Sequence, residues 1–166
     1  MFSLDIHFHF FPQTFVDEAR IPGNPFQTSI NVVDGVEHLI CRGDFDHPLE
    51  NVFYTPERII ADMDARRVEM SAISSAPPTL SYWADGASAS RLAANINNEI
   101  AQHVSDNPDR FLGLATVPLQ DIDRSIHEAR RAIRDLGLHG FMIGSNVEGK
   151  NLNHPDFFPF FQTIDE

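Results

Sequence analysis

A chain of 166 residues with 42% hydrophobic side chains suffices for one ordinary core and reads as a single globular unit or part of one. Its 24 acidic against 12 basic side chains give a formal charge of −12, which repels polyanions and excludes nucleic acid as a partner. The single cysteine, Cys41, excludes an internal disulfide. No signal-like start and no run of about eighteen apolar residues is present, so a soluble protein in the reducing cytoplasm, without a membrane partner, is expected.

The opening stretch, Phe2 to Phe11, alternates Leu4, Ile6, Phe8 and Phe10 with Asp5, His7 and His9. That period of two predicts a strand with one apolar and one polar face, ended by Pro12. Residues 13–54 carry the breakers Pro22, Gly23, Asn24 and Pro25. They also hold two short β-like runs, Ile30 to Val33 and Val36 to Cys41, joined by the hairpin dipeptide Asp34-Gly35. Too few apolar residues lie here for a separate core. The expectation is an irregular insertion with one small β-hairpin, covering one end of a larger domain.

From Thr55 the order becomes regular. Thr55 as cap and Pro56 at the first position start a helix that carries Ile59, Ile60 and Met63 to about Arg67. Val68 to Ser75 is the next strand, stopped by Ala76-Pro77-Pro78. A helix over Ser88 to Ser105 follows, with Leu92, Ile96 and Ile100 at four-residue spacing and Asn107-Pro108 after it. Phe111 to Val117 reads as an apolar strand covered on both faces. Asp121 to Leu136 predicts a helix with Ile122, Ile126, Ala129, Ile133 and Leu136 on one stripe and Gly137 beyond its end. Leu138 to Ile143 is a fourth strand, and His154-Pro155 leads into a last helix.

Strands alternating with helices predict a parallel β/α architecture. Periodicity alone fits an open flavodoxin-like sheet and half of an eight-stranded barrel equally well. No glycine loop of the GxGxxG or Walker type supports nucleotide binding on an open sheet.

His7 and His9 stand one residue apart on a strand, so their imidazoles emerge on the same face. Two neutral imidazoles on a rigid strand converge on one ion at little entropic cost, which makes the pair a candidate chelate. His38, His47, His103, His127, His139 and His154 lie in loops, on helix surfaces or near helix starts, and read as solvated or capping residues. Phe8, Phe10, Phe11 and Trp83 read as core or pocket wall.

Asp5-Ile6-His7-Phe8-His9-Phe10-Phe11-Pro12 resembles the DxHxHxxP opening of the amidohydrolase-related family, which includes aminocarboxymuconate semialdehyde, dihydroxybenzoate and carboxyvanillate decarboxylases. Pro56-Glu57-Arg58-Ile59, Asn107-Pro108-Asp109-Arg110-Phe111 and Ala115 to Asp121 are similar to later stretches of that family. So are Gly137-Leu138-His139-Gly140-Phe141 and Leu152-Asn153-His154-Pro155. The resemblance is in register over almost the whole chain apart from the insertion.

It implies an α/β fold, the first four units of a (β/α)8 TIM barrel, with residues 1–166 as the N-terminal half and 13–54 as an insertion after the first strand. His7 and His9 correspond to the family's first two ligands for a divalent metal, zinc or manganese. The other ligands and the catalytic residues are expected beyond Glu166. The implied substrate is a small aromatic or muconate-type carboxylic acid, and the implied reaction is decarboxylation. Hydrolysis of a lactone or amide on the same fold is one alternative. A non-catalytic fragment or subunit that binds metal weakly and self-associates is the other. Arg42, in the insertion, lies near where relatives place an arginine that grips a substrate carboxylate. Asn146, after the fourth strand, either touches substrate or caps its own loop.

Overall fold

The computed structural model describes residues 2–49 and 55–166; residues 50–54 of the insertion lie outside the described residues. The first strand, β1 (Leu4–Phe10), is followed by helix α1 (Gln13–Ala19) and strands β2 (Thr28–Val33), β3 (Val36–Cys41) and β4 (Phe45–Pro48). Helix and strand then alternate through α2 (Pro56–Arg66), β5 (Met70–Ser75), α3 (Gly86–Asp106), β6 (Phe111–Ala115), α4 (Ile122–Arg134) and β7 (Gly140–Phe141). A small hairpin, β8 (Asn146–Val147) and β9 (Lys150–Asn151), precedes α5 (Phe158–Asp165).

Strand order decides what periodicity left open. β1, β5, β6 and β7 make one sheet in that sequence, and every pair is parallel. A doubly wound sheet reverses its direction of growth partway. Here each new strand joins the same edge, as barrel strands do. One face of β6 is covered: a Cβ on Gly113 would meet Ile100 of α3 at 2.8 Å and Val104 at 3.1 Å. Helix α3 packs against α1 and α4, and α4 against α5, so the helices form one layer. Leu112 and Leu114, on the opposite face of β6, are only half-buried. The architecture is a partial (β/α)8 barrel.

Residues 13–19, expected to be irregular, form α1. The sequence concealed this helix because Pro12 stands at its N-cap and contributes no side-chain cap. The orphan donors of its first turn are met from α3 instead. Glu99 accepts hydrogen bonds from the backbone N–H of Gln13 (2.6 Å) and of Thr14 (3.0 Å), and from the Thr14 hydroxyl (2.7 Å). Phe15, Val16 and Ala19 then enter the main core beside Phe10, Ile96 and Ile100.

Burial pushes the Glu99 carboxyl up. The His103 ring 3.7 Å away and the donors of Thr14 and Gln13 outweigh that, so its pKa lies below the ordinary 4.5. A depressed carboxylate stabilises the fold above its unfolded pKa, and the contribution disappears as pH falls through the folded value. Glu99→Gln is therefore expected to cost about 1–2 kcal/mol at neutral pH. The gap to the wild type should close below about pH 4.5 in urea titrations, and a gap that persists there would contradict this reading.

The insertion is a three-stranded antiparallel sheet, β2-β3-β4, rather than a lone hairpin. Asp34 (φ 51°) and Gly35 (φ 83°) form the expected tight turn. β4 escaped notice because Phe45-Asp46-His47-Pro48 is short and ends in proline; its pairing comes from β3. Among the described residues of the insertion, Phe26, Leu39, Cys41 and Leu49 join the main cluster.

Two further boundaries differ. Only Gly140 and Phe141 of the expected fourth strand pair with β6, although Met142 N–H still donates to Ala115 O. In α4 the buried face is Ser125, Glu128, Ala129 and Ala132, while Ile133 is 41% exposed. A buried polar network turns the helix this way. Asn97, fully buried in α3, donates to Thr116 O (2.9 Å) and Glu128 Oε1 (2.7 Å), and its carbonyl accepts from Thr116 N–H (2.8 Å). Arg131 closes on both Glu128 oxygens, at 2.9 and 2.7 Å. The network fixes the segment after β6 to two helices at once.

Candidate metal centre

β1 carries a register irregularity between Asp5 and Phe8, where it pairs with β5. The Asp5 carboxylate accepts the His7 backbone N–H (3.0 Å), which supports the chain at that bulge. His7 is exposed and His9 half-buried. Their ring centroids lie 4.5 Å apart and edge to face. Neither ring enters the apolar core.

Ser74 on β5 orients His9. Its hydroxyl lies 3.2 Å from Phe8 O and 2.8 Å from His9 Nδ1. A hydroxyl has one proton, and when Ser74 donates it to the Phe8 carbonyl, Ser74 Oγ accepts from His9 Nδ1–H. That tautomer leaves His9 Nε2 with a free lone pair, as a metal ligand requires. Burial, and then the neighbouring His7 ring, hold the His9 pKa below 6.5, which favours the neutral ligand form. The donor set therefore fits a borderline divalent cation. It is incomplete by itself: among the described residues no group of three or more His, Cys, Asp or Glu side chains is placed to hold a metal.

A cavity of about 350 Å³ adjoins the pair, lined by His9, Phe11, Phe45, His47, Ala76, Pro77 and Pro78. It lies at the C-terminal ends of β1 and β5, the end where barrel enzymes build their sites. Phe45 and His47 stack nearly parallel, with centroids 6.0 Å apart and planes 13° apart, and Phe11 tilts against His47 at 5.9 Å. The insertion thus supplies one wall. Sequence reasoning singled out neither Ser74 nor Phe45 and read His47 as solvated or capping, although the Phe45-Asp46-His47 alternation is a strand signal.

Arg42 lies outside this cavity's lining. Its guanidinium sits over the Trp83 ring, 5.1 Å from the centroid, and 4.0 Å from Glu148. Asn146 is engaged within its hairpin: its amide donates to Asn151 Oδ1 (3.1 Å) and its carbonyl accepts from Gly149 N–H (2.9 Å). His154 caps the turn before α5, accepting from Asp156 N–H.

The Amidohydro_2 (amidohydrolase) family model matches residues 4–166. The 2-amino-3-carboxymuconate-6-semialdehyde decarboxylase of Dictyostelium discoideum is 34% identical over 170 residues, covering 99% of this chain and 46% of that protein. The protein of the same name from Caenorhabditis elegans is 28% identical over 96% of this chain and 45% of its own length. The chain thus spans about half the length of the curated relatives it matches. Among solved structures, the 5-carboxyvanillate decarboxylase of Novosphingobium aromaticivorans, complexed with manganese and 4-hydroxy-3-methoxy-5-nitrobenzoic acid, is 34% identical with a TM-score of 0.65, over 68% of this chain and 32% of that one. The IDCase of Metarhizium anisopliae, 20% identical, reaches a TM-score of 0.81 over 98% of this chain and 47% of that one, and shows the fold. Parallel strand order, a pair of adjacent histidine rings on the first strand and a family match spanning nearly every residue make this chain a member of the amidohydrolase family.

Proposed function

We propose that the chain forms the metal-binding half of a decarboxylase acting on a small aromatic or muconate-type carboxylic acid. The observation that carries this reading is the His7–His9 pair, with its tautomer set by Ser74, at the mouth of an apolar cavity. Similarity to decarboxylases at 34% identity supports the reaction class.

In this reading His7 and His9 hold a divalent ion, zinc or manganese. Imidazole suits zinc, and the manganese-bound relative supports manganese. Bound there, the ion supplies Lewis-acid stabilisation of charge developing on the substrate's oxygen substituents. The chain's own residues do the rest of the binding. Phe11, Phe45 and His47 supply aromatic walls, and Ala76, Pro77 and Pro78 apolar ones, which suits a flat conjugated acid. Arg42, half-exposed beside Trp83 and outside the cavity's lining, is the candidate grip for a substrate carboxylate. Asn146 shapes the loop after β7 and reaches substrate only by releasing its hairpin bonds. Further ligands and the proton donor come from polypeptide outside this chain, so the chain alone binds metal weakly and turns nothing over. Cys41 is buried, its thiol pushed up to about 12 mainly by burial, and stays inert, as suits a cytoplasmic protein. Among the described residues no helix is long and apolar enough to cross a membrane.

The test joins residues 1–166 to the remaining half of the Dictyostelium relative and supplies conjugated carboxylic acids. Release of carbon dioxide that stops on chelation is expected. A product that keeps its carboxylate, made by opening a lactone or amide, would replace decarboxylation with hydrolysis.

A further inference from the structure

We propose that Trp83, which stands outside the cavity's lining, is a specificity-determining positioning residue: it sets the gap between the two walls that receive a flat ligand. Those walls are built separately. Ala76, Pro77 and Pro78 continue directly from β5, whereas Phe45 and His47 stand on β4 of the insertion. The gap between them therefore depends on how the insertion sheet is fastened to the segment that follows β5. Phe26, Leu39 and Cys41 hold the insertion in the apolar cluster, but apolar burial has no direction and does not by itself fix a tilt. A directional contact does.

Trp83 makes two such contacts with the insertion. Its indole Nε1–H donates to Phe26 O at 2.9 Å, and the Arg42 guanidinium lies 5.1 Å from its ring centroid. Both partners belong to one end of the insertion sheet, where Arg42 N–H donates to Gln27 O at 2.9 Å and closes β2 against β3. The turn from Arg42 leads straight into Phe45, so the end that Trp83 grips is the end that carries the cavity's aromatic wall.

Trp83 is itself held on a fixed base. Ser81, fully buried, adopts φ 47°, a left-handed conformation that a non-glycine residue keeps only where its surroundings impose it. Gln120, in the segment after β6, donates to both Ser81 O (3.2 Å) and Ala84 O (3.1 Å). The Tyr82 hydroxyl accepts from Gly144 N–H (3.1 Å), in the segment after β7. Ser81-Tyr82-Trp83-Ala84 is thus tied to two neighbouring loops while its indole reaches the insertion. The same stretch begins only a few residues beyond Pro77 and Pro78, so Trp83 refers one cavity wall to the other.

Two variants separate the contacts. Trp83→Phe keeps a ring beneath Arg42 but has no N–H to donate to Phe26 O, and Trp83→Leu removes both interactions. Residual dipolar couplings measured on the 166-residue protein report how the insertion sheet lies against the parallel sheet. One alignment tensor should fit both sheets in the wild type. Trp83→Phe should require two, with couplings inside each sheet unchanged, and Trp83→Leu should show the larger departure. One tensor fitting wild type and Trp83→Phe alike would overturn the proposal, whether or not Trp83→Leu folds. Titration with benzoate and 2-naphthoate, followed by the His9 and His47 ring shifts, then reads the gap; this part rests on taking the cavity as the seat of a flat acid. The variants should shift preference toward naphthoate by at least about 5-fold, whereas a general loosening would weaken both acids equally. An unchanged ratio with both acids bound would overturn control of the gap by Trp83. Altered couplings with neither acid bound by any of the proteins would instead overturn the flat-acid reading and leave Trp83 its positioning role.

Discussion

Replacing His7 or His9 by alanine is expected to lower zinc or manganese affinity by more than about 100-fold, because each is one of the two imidazoles of the proposed metal pair. In a completed barrel the same changes should abolish turnover. Ser74→Ala should cost a more modest factor of about 10 in affinity, since it frees the His9 ring and tautomer without removing a ligand. Titration calorimetry reads all three. The folded state should survive each change, because His7 is exposed and His9 only half-buried. Unchanged affinity in both histidine variants would refute the metal pair, and equal losses for Ser74→Ala and His9→Ala would refute the orienting role of the serine.

Asn97→Leu should be the most damaging single change to stability, at about 3–5 kcal/mol. Its removal leaves the Thr116 N–H and C=O buried without this partner and leaves Glu128 Oε1 with Arg131 alone. Glu128→Leu should cost about 3 kcal/mol, less than Asn97→Leu, because the released Arg131 is partly solvated. The double variant should fall well short of the sum, since each change already removes the shared contact. Urea denaturation measures these values, and a loss under about 1 kcal/mol for Asn97→Leu would show that water replaces the network.

Much of the frame was written locally. Alternation around His7 and His9 predicted β1, and Leu92, Ile96 and Ile100, all buried, predicted the face of α3. The helix begins two residues earlier than expected, at Gly86, because Asp85 caps it through Ser88 N–H. What stayed hidden depends on partners distant in sequence. α1 takes its cap from Glu99, 86 residues beyond Gln13. The stripe of isoleucines in α4 predicts a face that lost to Glu128, whose buried bonds to Asn97 and Arg131 outweigh the exposure of Ile133. In the candidate site, the adjacency of the His7 and His9 rings is legible because strand geometry alone makes it. Ser74 is not, since nothing in Ser71-Ala72-Ile73-Ser74-Ser75 marks the one serine whose register partner is a histidine.

The antiparallel insertion also bears on the order in which the chain assembles. β1 and β5 begin to pair between Leu4 and Met70, so joining them closes a long loop at an entropic cost. β2, β3 and β4 pair only with neighbours across short turns and meet no such cost. Once formed, they bring the end of β1 nearer the start of α2 and shorten the search. Pulse-labelled hydrogen exchange during refolding should therefore show protection of Asn31 and Leu39 amides before those of β1; the reverse sequence of protection would mean that the barrel strands nucleate without help from the insertion.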